Sequence, residues 1–240
     1  MSEKFNRTKL LIGEEGFEIL KSLNIAILGI GGVGSFTAEA LGRAGIGKLT
    51  LIDHDIVDIT NINRQIHALT STVGQIKVEI MKKRLKDINP EAQITAIREF
   101  CTPDNINELL KEEYDYIVDA IDNVTGKLSI IEYAVKKQIP VISSMGAANK
   151  LSNKNFQVVD ISQTRVCPLA KVIRKELRAR GIDKGVKVVY SPDPIIKPDK
   201  IKLENNSGKR ELPGSISFVP PVAGLIMAGE VINDLLHKIN

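Results

Sequence analysis

Gly29-Ile30-Gly31-Gly32-Val33-Gly34 decides the fold of this chain. The six residues satisfy GxGxxG. They follow the short apolar run Asn24–Leu28 and open a segment, residues 32–44, that reads as a helix. Glycines there let the backbone turn tightly and approach phosphate oxygens, while the helix N-terminus offers free N–H groups and a positive dipole to an anion. Asp53 closes a second apolar run, Lys48–Ile52, about 19 residues later. An acid at that point can hydrogen-bond a ribose hydroxyl. These features alone specify a nucleotide, with NAD the commoner occupant of such a turn.

The same alternation continues on both sides of the turn. Residues 10–23 read as an N-terminal helix offering Leu10, Leu11, Phe17 and Leu20 for packing. Ile76, Ile80, Leu85 and Ile88 have helical spacing that stops at Asn89-Pro90. Gln93–Ile97 is a strand, 103–111 a helix, 116–121 a strand, 124–135 a helix and 139–142 a strand. Strand and helix in strict turn predict an α/β, Rossmann-like, doubly wound and mainly parallel sheet. After Met145 the rhythm changes: a strand over 156–161, a helix over 168–180, a strand over 186–190 and a closing helix over 221–238. The expected organisation is a nucleotide-binding region over 1–145 and an extension over 146–240 within one compact domain. Residues 192–212, rich in Pro, Lys, Asp and Asn, are expected to form a mobile loop.

Composition excludes several classes. The 240 residues are 43% hydrophobic and 26% charged, which rules out wholesale disorder. Two cysteines, Cys101 and Cys167, exclude a disulfide framework and a zinc site built from paired CxxC motifs. The polar first 23 residues lack a signal-peptide core. The longest apolar stretch, residues 216–227, contains Pro220 and Pro221 and falls short of the ~20 residues a membrane span needs. The expectation is a cytoplasmic chain with no membrane segment.

The residues after Asp53 separate ATP from NAD. Asp53-His54-Asp55-Ile56-Val57-Asp58-Ile59-Thr60-Asn61-Ile62-Asn63-Arg64-Gln65 is too polar for a strand. Lys77 follows 13 residues beyond Arg64, and Asp122-Asn123 ends a later strand. Arginine, lysine and carboxylates gathered at one site suit a triphosphate with its Mg²⁺, because cations spread the charge of the transition state and an aspartate holds the metal. Hydride transfer needs none of this.

GxGGVGS, DxDxVDxTNxNRQ, a lysine one helix later and Asp119-Ala120-Ile121-Asp122-Asn123 together resemble the adenylation domain of the ubiquitin-activating-enzyme superfamily, of the molybdopterin and thiamine adenylyltransferase type. The resemblance implies ATP with Mg²⁺. The phosphates would lie at Gly29, Gly31, Gly32 and Gly34, the ribose at Asp53, and the triphosphate among Asn61, Arg64 and Lys77. Gln65 would buttress that loop, Asp122 would serve metal and phosphates, and Asn123 would lie beside the adenine. It also implies catalytic roles for Arg64, Lys77 and Asp122, and for Arg7 reaching into a partner subunit, hence a homodimer.

Further stretches are similar to the tRNA threonylcarbamoyladenosine dehydratases: residues 63–69, Asn89-Pro90, Phe100 with residues 102–105, Gly146-Ala147-Ala148 with Lys150, Asp160, Thr164, Pro168-Leu169-Ala170, and residues 185–191. That family implies ATP-dependent cyclisation of the threonylcarbamoyl group on tRNA. Cys167 departs from it, standing where an aspartate is typical. Ring closure within one substrate needs no catalytic cysteine, because high effective molarity replaces an external nucleophile. The alternative is an adenylyltransferase acting on the C-terminal glycine of a ubiquitin-like sulfur carrier, in which case a sulfur-transfer protein would dock. An NAD-dependent oxidoreductase and a nucleotide-binding scaffold complete the field.

Net charge is 33 − 29 = +4, but its distribution is uneven. Arg165, Lys171, Arg174, Lys175, Arg178, Arg180, Lys184 and Lys187 face only Glu176 and Asp183. That excess is the expected tRNA-backbone contact, led by Arg165, Lys171, Arg174, Lys175 and Arg178. Cys167 reads as a small side chain rather than a sulfur relay. His54, His67 and His237 read as satisfied structural histidines.

Overall fold

The structure, a computed structural model, describes residues 3–196 and 213–237. Seven strands form one sheet in the order β3-β2-β1-β4-β5-β7-β6. They are β1 Asn24–Leu28, β2 Lys48–Ile52, β3 Gln93–Ile97, β4 Tyr116–Asp119, β5 Val141–Ser144, β6 Gln157–Asp160 and β7 Lys187–Tyr190. All neighbours pair parallel except β6 with β7. The helices are α1 Asn6–Ser22, α2 Gly34–Ala44, α3 Lys77–Ile88, α4 Ile106–Leu109, α5 Val124–Lys137, α6 Pro168–Ala179 and α7 Val219–His237. The expected α/β doubly wound sheet is present, and β7 and β6 extend it beyond the Met145 boundary.

The core follows from apolar runs buried on both faces. Ile25, Ile27, Leu49, Leu51 and Val118 point to one side, where α2, α3 and α7 pack. Ala26, Leu28, Ile117 and Ile130 fill the other, against α5. Leu128, Ile131, Ile173, Leu177 and Val188 carry a third cluster that seats α6. Strands buried on both faces read as continuous hydrophobic runs, which makes them visible in sequence.

Some expectations need correction. Leu10 and Leu11 do not pack on the body; they are 88% and 86% exposed. The cause is a break at Gly13, φ 77 and ψ 168, which turns the first part of α1 away from the part that buries Phe17 and Leu20. The helix expected over 103–111 shrinks to one turn, because Asn105 forms side-chain turns with Thr102 and Phe100 instead. The strand expected over 156–161 stops at Asp160, whose carboxylate caps a 3₁₀ turn by accepting from Ser162 N. Of the expected loop over 192–212, residues 192–196 are irregular backbone and 197–212 lie outside the described residues. The 3₁₀ turns Ile59–Asn61 and Thr70–Thr72 give order to the chain between β2 and α3, whose first part is too polar for a strand.

By length and composition α7 is apolar enough to cross a membrane. Half of that apolar window is buried inside this fold. Thr37 Oγ1 donates to Gly224 O at 3.0 Å, locking α7 to α2. On another face Asp234 accepts from Tyr116 Oη at 2.7 Å and from Lys187 Nζ at 2.6 Å. A helix that pairs its carboxylate with the sheet is a core helix here.

Candidate active site at the carboxyl edge of the sheet

The strand order reverses beside β1, between β2 and β4, and ligands of such sheets bind at the carboxyl ends there. Two glycines make the turn possible. Gly29 has φ 89, and a Cβ on it would lie 2.7 Å from the Ala120 carbonyl; a Cβ on Gly34 would lie 1.8 Å from Gly29 O. Only hydrogen fits at either position. β1 and β4 can therefore run side by side into the turn, with Ala120 N donating to Leu28 O at 2.8 Å.

Asp53 holds this turn. Its Oδ2 accepts from Ile30 N at 2.6 Å and its Oδ1 from Asp55 N at 2.9 Å. The expected ribose ligand is thus already engaged with the loop backbone through both oxygens, and any ribose contact would add to that. Gln65 is buried beside Gly31, its Nε2 4.0 Å from where a Gly31 Cβ would stand. Its Oε1 is buried without a partner among the described residues.

Arg64 lies against Gly32: a Cβ there would meet Arg64 Cγ at 3.3 Å and Pro220 Cβ at 3.0 Å. Its Nη1 donates to Thr60 O and Asn63 Oδ1, both at 2.9 Å. Burial lowers its pKa from the ordinary arginine value, with Asp58 opposing. Asn61 is buried, and its Oδ1 accepts from Asp58 N at 3.1 Å in a reciprocal cap. Asp58 sits below the usual carboxylate range because Thr60 hydrogen-bonds it, with smaller contributions from Lys77 and Arg64. Lys77 is buried at the start of α3, and its Nζ reaches Asp55 Oδ2 at 2.7 Å. Arginine, lysine and the glycine turn are thus drawn to one edge by the segment after β2.

Asp122 is exposed after β4. Asn123 caps α5, its Oδ1 accepting from Gly126 N at 2.7 Å, so its oxygen is committed to the helix. Arg7 is not brought to this edge. The ring of Phe5 stands 5.1 Å from Phe17, and Phe17 packs against Gly45, just ahead of β2. Arg7, exposed in the first turn of α1, therefore lies toward the amino ends of the strands.

A buried ion pair under the site is absent from the sequence-based expectations. Lys127 and Asp119 are both fully buried, with Nζ to Oδ2 at 2.8 Å. Ser143 Oγ donates to the same oxygen at 2.6 Å, and Lys127 Nζ also donates to Ser144 O at 2.9 Å. Asp119 Oδ1 accepts from Ile121 N at 3.3 Å, shaping the backbone that leads to Asp122. Burial raises the Asp119 pKa, and Lys127 pulls it back. The available signal is a charge, Lys127, amid the apolar spacing of α5.

The basic segment divides. Arg174 Nη1 donates to Thr164 O at 2.8 Å and Thr164 Oγ1 at 2.5 Å, Arg180 pairs with Glu132 and Glu176, and Lys187 pairs with Asp234 and Glu230. These three cations each have partners within the fold. Lys171, Lys175 and Arg178 remain on one exposed stripe of α6, because Ala170, Ile173 and Leu177 take the buried side. Arg165 and Lys184 are exposed nearby in sequence.

Both cysteines are buried, and burial pushes the Cys101 thiol up to about 12. Cys167 is the N-cap of α6 and makes no side-chain cap bond. His67 is not the satisfied histidine expected: it is 1% exposed, and neither ring nitrogen has a partner among the described residues. The ligand atoms of Asp53, His54 and Asp55 fall within 4.8 Å of one another, but Lys77 already occupies Asp55.

Known proteins share this sequence and fold. A profile of the ThiF family matches residues 5–240. The chain is 48% identical to the tRNA threonylcarbamoyladenosine dehydratase of Bacillus subtilis, covering 100% of this chain and 97% of the relative. It is 33% identical to the molybdopterin-synthase adenylyltransferase of Escherichia coli, over 63% of this chain and 60% of that protein. Among solved structures, the E. coli tRNA N6-threonylcarbamoyladenosine dehydratase TcdA in complex with ATP superposes with a TM-score of 0.91 at 35% identity, covering 99% of this chain and 95% of that one. With a matched region running over nearly its whole length, the chain belongs to the ThiF family.

Proposed function

We propose that this protein uses ATP to cyclise threonylcarbamoyladenosine in tRNA by way of a carboxyl adenylate. The observation that carries the reading is the near full-length match at 48% identity to the B. subtilis dehydratase, together with Arg64 packed on the glycine turn and Lys77 paired with Asp55, two residues after the aspartate that holds that turn. The substrate carboxylate oxygen attacks the α-phosphorus and pyrophosphate leaves. A group of the same threonylcarbamoyl moiety then attacks the activated carbonyl carbon, the ring closes and AMP departs. Arg64 and Lys77 serve the charge that develops on the phosphates. The free N–H groups of the turn at α2 cradle them. Asp122, an exposed hard-oxygen donor, suits Mg²⁺, which characteristically takes one or two carboxylates and fills its shell with phosphates and water. When bound, the metal neutralises the leaving pyrophosphate.

The partners follow. Lys171, Lys175, Arg178, Arg165 and Lys184 take the tRNA backbone. Arg7 and the exposed Leu10 and Leu11 meet a second copy, whose site Arg7 completes. The working location is the cytoplasm, where tRNA and ATP are found. The sulfur-carrier reading loses ground because both cysteines are buried.

Pyrophosphate release from ATP tests the reading. It should require tRNA bearing threonylcarbamoyladenosine. Release that instead requires a carrier protein, or neither addition, would replace it.

A further inference from the structure

Asn63 sits between two groups that fix the direction of its amide. Arg64 Nη1 can only donate, so the atom it meets at 2.9 Å is Asn63 Oδ1. The Ser215 carbonyl can only accept, so it takes Asn63 Nδ2–H at 3.0 Å. One residue before Ser215, Gly214 is held by Asn149 through both its N–H and its carbonyl. Gly214 N donates to Asn149 Oδ1 at 2.6 Å, and Asn149 N donates to Gly214 O at 2.8 Å. Asn149 O in turn accepts from Ile196 N at 2.8 Å. Asn149 itself has φ 58, a conformation that asparagine tolerates better than most residues. A continuous hydrogen-bonded line therefore runs from Arg64 through Asn63 and the Gly214–Ser215 backbone to Asn149.

The Gly214–Ser215 part of this line lies in the chain that leads into α7. Pro220, in the first turn of that helix, and the Arg64 stem both pack where a Gly32 side chain would stand. Ser215 thus bonds the neighbour of Arg64, and Pro220 touches the phosphate turn.

We propose that Asn63 and Asn149 are positioning residues: the seating of Gly214–Ser215 on Asn149, relayed by the Asn63 amide, sets where the Arg64 guanidinium stands. The proposal rests on the reading of Arg64 as a phosphate ligand. It differs from a local anchor for Arg64 in requiring the Ser215 link. Effective catalysis depends on such placement, since a displacement of about 1 Å can cost about a hundredfold in rate.

Four variants separate the possibilities. Asn63→Asp keeps an acceptor for Arg64 but turns a carboxylate oxygen against the Ser215 carbonyl. Asn63→Ala removes both bonds. Asn149→Gly keeps the left-handed backbone and loses only the Oδ1 acceptor, which Asn149→Asp restores. In ATP–pyrophosphate exchange, Asn63→Asp and Asn149→Gly should each lower kcat at least tenfold with ATP affinity within threefold of wild type. Asn149→Asp should recover most of that loss. The Asn63→Ala, Asn149→Gly double variant should be no worse than the poorer single one. In the ligand-free protein, amide exchange at Gly214 should speed up in Asn63→Asp. Wild-type rates in Asn63→Asp, strict additivity, or unchanged Gly214 protection would each overturn the proposal. Absence of ATP binding in the wild type would instead sink the phosphate-site reading, and the exchange measurement would still decide the link. If Asn149→Gly does not fold, Asn63→Asp decides alone.

Discussion

Lys77 Nζ stands 2.7 Å from Asp55 Oδ2, the lysine side chain 6% exposed and the carboxylate 47%. The cation is therefore buried with its counter-charge in place, and the more open side of the pair faces the solvent from which a nucleotide arrives. A triphosphate can share or displace Asp55 without uncovering a lone buried charge. Lys77→Ala and Arg64→Ala should each lower pyrophosphate formation about a hundredfold, on the order of 3 kcal/mol of transition-state stabilisation. Thermal melts should show both folded. Turnover near wild type in either would mean that the phosphates lie elsewhere.

Lys127 and Asp119 offer the opposite case, a pair with no exposed side. Removing one member strands the other charge in the core, at a cost of about 3–5 kcal/mol. Lys127→Met should lose that much in urea unfolding. Replacing Asp119 and Lys127 together with apolar residues should recover most of it. A single variant as stable as wild type would refute the pair's structural weight.

His67 makes stability depend on pH. Burial, then Lys77 and Arg84, lowers its pKa to about 4. Above the ordinary value of 6.5 both folded and unfolded chains hold it neutral, and it contributes no pH dependence. As pH falls from about 6.5 toward about 4 the unfolded chain takes up a proton that the folded one refuses. Stability should then drop by up to about 1.4 kcal/mol per pH unit. His67→Leu should flatten the curve by that slope in this window. Parallel wild-type and variant curves would show that His67 titrates normally.

Arg7 lies toward the amino ends of the strands, so its own chain's phosphate turn is out of its reach. Mixing inactive Arg7→Ala protein with inactive Asp122→Ala protein should restore one working site per heterodimer. Proven subunit exchange without recovered activity would end the shared-site proposal.

What is legible in the sequence is whatever a local pattern encodes. The strands buried on both faces and the glycine turn each leave a mark within a few residues. The break at Gly13 leaves no comparable mark, because glycine inside a helical period is tolerated often enough to be read through. Asp119 with Lys127, Lys77 with Asp55 and Asn63 with Ser215 are not legible as pairs. Each joins residues that topology, not sequence spacing, brings together. The basic segment shows the same limit: eight cations count alike on paper, yet three of them are spent on Thr164, Glu132 with Glu176, and Asp234 with Glu230.

That division sharpens the tRNA prediction. Lys171, Lys175 and Arg178 repeat at i, i+4 and i+7, which sets them along one face of α6, and all three are exposed. Among the described residues only Arg178 of the three has a carboxylate nearby, Asp183 at 3.8 Å, with both side chains mostly in solvent. Such a pair is weak and yields readily to a phosphate. Neutralising phosphates supplies much of the affinity for a nucleic acid through counterion release. Each phosphate deprived of its cation should therefore flatten the salt dependence by about 0.7–0.9 in log–log slope. Charge reversal at Lys171, Lys175 and Arg178 together should raise the tRNA KM strongly and lower the slope by about 2–3, with ATP affinity nearly unchanged. Arg174→Gln is the informative contrast. It frees the Thr164 hydroxyl and carbonyl, so it should lower the melting temperature and leave the salt slope alone. A triple variant with wild-type tRNA KM and slope would reduce this face of α6 to a solvated surface.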